Sequence, residues 1–102
     1  MSKAPKKLAT ILNEAKRAIK DGCLIPSNHA QQRMVERDID LADVEEAINC
    51  GHREPRKDSL TPDKTAWKYA IRAKLSNDKE IRVIVTKLGN GVLLITAIDL
   101  NK

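Results

Sequence analysis

His29, Arg33 and Arg37 are spaced four residues apart, so in a helix they form one row of an imidazole followed by two guanidinium groups. The N-terminus of such a helix adds partial positive charge near His29, and that end can hold an anion. Imidazole is the side chain whose ordinary titration lies nearest neutral pH, which makes His29 a candidate base or acid. A purely structural role is equally open, in which Arg33 and Arg37 pair with Glu36, Asp40 or the acids that follow and fix helix packing. A second cationic set lies further along. Lys68, Arg72 and Lys74 alternate with Trp67, Tyr69, Ile71 and Leu75, so a strand here turns its bases to the face opposite the apolar one. Arg82 falls in the minority phase of the next apolar run and joins that open face. Such a face would bind phosphates along a strand, although a solvated strand face needs polar residues in any case.

Other chemistries find less support. Cys23, His29, Cys50 and His52 are the right types for zinc, but their spacings match no familiar finger. The cysteines are expected as buried thiols, and no metal or other cofactor is expected. The chain lacks a phosphate-cradling glycine loop, a dinucleotide fingerprint, a zinc-protease helix and a nucleophile elbow. With one Trp, one Tyr and no Phe, base-stacking platforms are not available.

The elements that must position these residues follow from periodicity. Leu8, Ile11, Leu12, Ala15, Ala18 and Ile19 predict a helix over 6–21 that stops at Gly22. Ser27-Asn28 caps a second helix over 28–37, with Gln31 as a capping-box partner, and Asp40 caps a third over 41–50 that Gly51 ends. Past Gly51 the period changes to that of strands. Residues 66–75, 81–86 and 92–98, joined at Ser76-Asn77-Asp78 and Gly89-Asn90-Gly91, predict an antiparallel meander within 52–98, with a fourth strand near His52 to Lys57. The expected fold class is α+β, two or three N-terminal helices packed on one face of a three- to four-stranded antiparallel sheet. Met1 to Pro5, Lys57 to Lys64 and the last two residues are expected to be loose.

Length and composition bound the rest. A chain of 102 residues is room for one domain, and 41% hydrophobic with 32% charged residues argues against disorder. No apolar run approaches the roughly 20 residues that span a bilayer, and no signal-peptide core follows the N-terminus, so the expected location is the cytoplasm, with no membrane partner. The net charge of +5 is polarised. Residues 1–20 hold six bases against Glu14, 36–46 hold six acids against Arg37, and 53–87 hold ten bases against five acids. The acidic helix is expected to face away from any polyanion.

The stretch His29-Ala30-x-x-Arg33-Met34-x-x-Arg37-x-Ile39, followed by a helix, a Gly and three strands ending in Ile95-Thr96, resembles the domain-of-unknown-function 4258 family over residues 28–98. That family is grouped by fold with the RelE-like and barnase-like ribonuclease toxins. A weaker likeness, through Ala15-Lys16-Arg17, Gly22, Thr65-x-Trp67-Lys68 and the last hairpin, is to the motility quorum-sensing regulator mRNA interferases (MqsR). The resemblance implies a metal-independent endoribonuclease toxin of a toxin–antitoxin system, acting on RNA and sequestered by a cognate antitoxin protein.

Cleavage through the RNA's own 2′-hydroxyl needs a base, an acid and cations for the phosphate. His29 is the expected base or acid. Arg33, Lys68 and Arg82 are expected to hold the scissile phosphate, with Arg37, Lys57, Arg72 and Lys74 binding neighbouring ones. Two alternatives stand beside it. One is a non-catalytic RNA- or protein-binding member of the same fold, motivated by Ile98 where the domain family tends to have an aromatic. The other is a partner-binding module that uses the acidic third helix.

Overall fold

Residues 5–101 are described by a computed structural model. They form, in order, α1 (Ile11–Asp21), β1 (Leu24–Pro26), α2 (Asn28–Glu36), α3 (Leu41–Cys50), β2 (His52–Arg53), a 3-10 turn (Pro55–Lys57), β3 (Ser59–Leu60), β4 (Trp67–Lys74), β5 (Glu80–Leu88) and β6 (Gly91–Asp99). The sheet runs β1-β6-β5-β4-β2, and β3 pairs with β4 beside β2. Among the described residues no helix is long and apolar enough to cross a membrane.

The α+β class holds, and β4, β5 and β6 form the expected antiparallel meander. The sheet as a whole is neither purely antiparallel nor limited to four strands. Leu24 to Pro26 pair in parallel with Val92 to Leu94, so the chain leaving α1 contributes an edge strand before the second helix begins. Three residues are too short a run for alternation to reveal.

Helix boundaries shift for local reasons. The first helix begins at Ile11, not Lys6, because the chain before it is held across β4. The Trp67 Nε1–H donates to the Pro5 carbonyl at 2.6 Å, and the Leu8 N–H donates to the Tyr69 hydroxyl at 2.7 Å. Gly22, at φ 73°, closes the helix in the left-handed conformation that glycine adopts without steric cost. The second helix is capped by Ser27, whose hydroxyl accepts from the Ala30 N–H, while Gln31 donates to the Pro26 carbonyl instead of completing a capping box. It ends at Glu36, one residue early. The third spans the expected residues, with Asp40 and Asp43 each accepting the other's backbone N–H.

One face of the sheet is covered by α1 and α3. Tyr69, Ile71 and Ala73 of β4 and Leu75 just past it, with Ile81, Val83 and Val85 of β5, pack there against Ile11, Ala15, Val44, Ala47 and Ile48. Each fully buried Ile or Val contributes about 1.5 to 3 kcal/mol. On β6 the buried positions are Val92, Leu94 and then Ala97, because a bulge sets Ile84 opposite Thr96 but Val85 opposite Leu94. The expected thiol burial fails at Cys50, which is exposed, and Cys23 is half-buried.

Helix α2 does not lie on that face. It runs along the outer edge of β6 beyond β1, where unpaired carbonyls would otherwise be left open. The Ser27 N–H donates to Leu94 O at 2.9 Å, its hydroxyl to Ile95 O at 3.2 Å, and the Arg37 guanidinium to Ala97 O at 2.6 Å. Residues 57–64, expected to be loose, are partly tied to the opposite edge. The Asp58 carboxylate, with its side chain fully buried, accepts from the Ala70 N–H (2.9 Å) and Arg53 (2.5 Å) and is ion-paired with Lys7 (3.0 Å).

Candidate nucleic-acid interface

The face opposite α1 and α3 is built row by row from strand register. Side chains directly opposite in neighbouring strands share a face. His52 stands opposite Arg72, Arg72 opposite Arg82, and Arg82 opposite Ile98. Beyond Ile98, Arg37 is fastened to the adjacent Ala97 carbonyl. One row across the open face therefore reads His52, Arg72, Arg82, Ile98, with Arg37 at its rim. In the next row Ala70 faces Ile84, and Ile84 faces Thr96, a small and apolar floor.

Two arginines directly opposite each other repel, and carboxylates separate them. Glu54, just past β2, accepts from Arg82 at 2.6 and 3.4 Å and from Arg72 at 3.4 Å. Glu80 accepts from Arg72 Nε at 3.1 Å. The Arg82 and Glu54 side chains are only 15% and 16% exposed, so their pair is shielded from the water that weakens surface ion pairs. The hydrogen bond from Arg82 holds the Glu54 carboxyl below its ordinary range against the opposing effect of burial, and Arg72 adds to the lowering. Glu80 is lowered in the same sense by Arg72, and Arg72 is raised chiefly by Glu80. A groove of about 500 Å³ opens beside Glu54, lined also by Arg53, Pro55, Arg56 and Lys57.

The residues expected from sequence fall into three groups. Arg72 and Arg82 meet across β4 and β5, with Arg37 at the end of their row. Lys57 sits on the rim of the Glu54 groove, and Lys74 is exposed two residues beyond Arg72, opposite Glu80. Lys68 lies four residues from Arg72 on the same face, about 13 Å along the strand, next to Ser59 of β3.

His29 and Arg33 belong to the other rim. Ala30 and Met34 are buried, while Gln31 and Val35 share a groove with the start of α3, so helical geometry leaves the row of His29, Arg33 and Arg37 on the open-face flank. Arg33 is paired with Glu36 at 2.7 Å. His29 is exposed in the first turn, about 12 Å along the helix from Arg37. It stands across β6 from Arg82 of β5 and across β6 and β5 from Arg72 of β4.

Glu54, His52 and Glu80 are the polar groups that periodicity missed. No local signal marks Glu54, because β2 is only two residues long, His52–Arg53, and Glu54 lies just past it.

Residues 27–99 match the protein family described as a domain of unknown function, DUF4258. The chain belongs to that family. No curated protein matches it, and no solved structure does. The DUF4258 region begins at Ser27, the cap of α2, and ends at Asp99, the last residue of β6. It thus contains the whole Arg72, Arg82 and Glu54 row, whereas α1, β1 and the Lys7 contact to Asp58 lie outside it.

Proposed function

We propose that this DUF4258 protein is a metal-independent endoribonuclease, the toxin of a toxin–antitoxin pair, which cleaves RNA through the substrate's own 2′-hydroxyl. The single observation that carries the reading is the Glu54 carboxylate clamped between Arg82 and Arg72 on the sheet face opposite α1 and α3. Arg72 and Arg82 take the scissile phosphate, each guanidinium offering a fork of donors that matches phosphate oxygens. As the phosphate draws those donors away, the hydrogen bonds that hold Glu54 acidic are lost and its affinity for a proton rises.

Glu54 then removes the 2′-hydroxyl proton, the 2′-oxygen attacks phosphorus, and the bond to the 5′-oxygen breaks. His52, exposed on the same face and one strand row from Glu54, donates the proton to the leaving oxygen. The products are a 2′,3′-cyclic phosphate and a 5′-hydroxyl. Lys57, Lys68 and Lys74 bind flanking phosphates, and His29, Arg33 and Arg37 line the far rim.

The test is incubation of the purified chain with mRNA in EDTA, followed by end-group analysis. Cyclic phosphate ends, lost in Glu54→Gln, support the reading; intact RNA, or cleavage unchanged in that variant, overturns it. A second reading is a non-catalytic member that binds RNA or a protein partner. It is favoured by the same carboxylates, since Glu54 and Glu80 neutralise Arg72 and Arg82 within the fold. It expects salt-sensitive RNA retention with intact product on a gel.

A further inference from the structure

The flank of α2 turned away from its arginine row carries Val35, which with Pro26, Met34, Ile39 and Leu41 walls a groove of about 420 Å³. Two of the four exposed large apolar side chains among the described residues meet there. Val35 is 84% exposed and Leu41 41% exposed. The charge at this groove is acidic: Asp40 lines it, and Asp38 and Glu45 stand within one helical turn. Among the described residues Lys79 reaches the stretch from across the fold, bonding the Asp38 carbonyl and standing 3.7 Å from the Asp38 carboxylate, so the acidic character of the groove rests on Asp40 and Glu45. A polyanion is repelled here, while an apolar ridge flanked by bases is matched in both shape and sign.

Among the described residues this chain does not supply such a ridge. Its basic helix, α1, has the apolar stripe Ile11, Ala15 and Ala18 buried in its own core. A second copy therefore offers no occupant from that helix.

We infer that this groove docks a basic amphipathic helix of a different protein, its apolar residues three and four apart seated on Val35, Met34 and Leu41 and its lysines or arginines facing Asp40 and Glu45. The groove opens beside the helix layer, whereas the Arg72 and Arg82 row lies on the opposite face of the sheet. The occupant therefore leaves the basic face free, and binding of the two ligands is not competitive. None of this depends on the ribonuclease reading.

The test is a selection of random peptides about four helical turns long, displayed on phage, against the immobilised chain. Val35→Glu and Leu41→Lys variants serve as counter-targets; Val35 is largely exposed, so its replacement leaves the core intact. The expected peptides are net positive, carry apolar residues three and four apart, and bind the unchanged chain at least about 10-fold more tightly than the Val35→Glu variant. They shift the amide resonances of residues 34–41 and leave those of Arg72 and Arg82 in place. Net-negative peptides, equal binding to the variants, or a pool with no enrichment overturns the inference. RNA retention by the Val35→Glu variant is measured alongside, so that loss of groove binding is distinguished from loss of the basic face.

Discussion

Glu54 is held by two guanidinium groups that would otherwise repel each other, and any anion arriving at the open face competes with it for them. Glu54→Gln keeps the shape and some hydrogen bonding but removes the negative charge. RNA retention should be preserved or increased, because Arg72 and Arg82 become available, whereas cleavage should fall about 10²- to 10⁴-fold, the range expected for loss of a general base. Filter binding and single-turnover cleavage on the same preparation separate the two effects. Arg37 is a different case despite its place at the end of the same row. Its guanidinium satisfies the Ala97 carbonyl at the open edge of β6, so Arg37→Ala leaves that acceptor without its partner. The expected outcome is a loss of about 1 to 2 kcal/mol in urea unfolding, with α2 loosened from the sheet. Weaker RNA binding with unchanged stability would show instead that Arg37 acts as a free phosphate ligand.

The position of Glu54 depends on how the chain passes from α3 into β2, and Gly51 sets that passage. A Cβ at Gly51 would meet the Ala47 carbonyl oxygen and approach Arg72 O to 2.6 Å, so helix end and strand pass too closely for any side chain. Gly51→Ala should cost about 1 to 3 kcal/mol, as overpacking does, and should also reduce cleavage by shifting Glu54 from its arginines. Stability lost with the Arg82–Glu54 contact intact by NMR would separate the two consequences. The same junction divides what the sequence made legible from what it did not. The ending of α3 at Gly51, its cap at Asp40 and the three long strands rest on local patterns and were readable, as were the open-face phases of Arg72 and Arg82. The parallel edge strand at Leu24 to Pro26, the bulge that hides inside the apolar run Val92 to Ile98, and the pairing of His52 with Arg72 depend on partners far away in the chain. Glu54 was unreadable for that reason. A lone glutamate before a proline has no period, and its meaning comes only from the register of β2 on β4. The expected start of α1 at Lys6 failed because Trp67 holds the Pro5 carbonyl that such a helix would have bonded to its first turn, while Tyr69 fixes the Leu8 N–H across β4.

Across the whole molecule acids and bases are paired within and between elements, and four glutamates hold basic partners. Glu14 is bonded to Lys87, Glu36 to Arg33, Glu54 to Arg82 and Arg72, and Glu80 to Arg72; each carboxyl is held below its ordinary range by those partners. Because the folded protein binds these protons less tightly than the unfolded chain, this contribution to stability is fully present above the ordinary glutamate value of about 4.3. It is lost as pH falls through the lower folded values. Urea midpoints should therefore be flat from pH 7 to about 5 and decline below it. Glu14, Glu36 and Glu80 lie at the surface, where solvent weakens each pair, so most of the decline should trace to the shielded Glu54. Glu54→Gln should accordingly flatten the acid limb more than Glu36→Gln does. An acid limb unchanged by Glu54→Gln would mean that the arginine clamp adds little to folding and that its geometry is held by the strands alone.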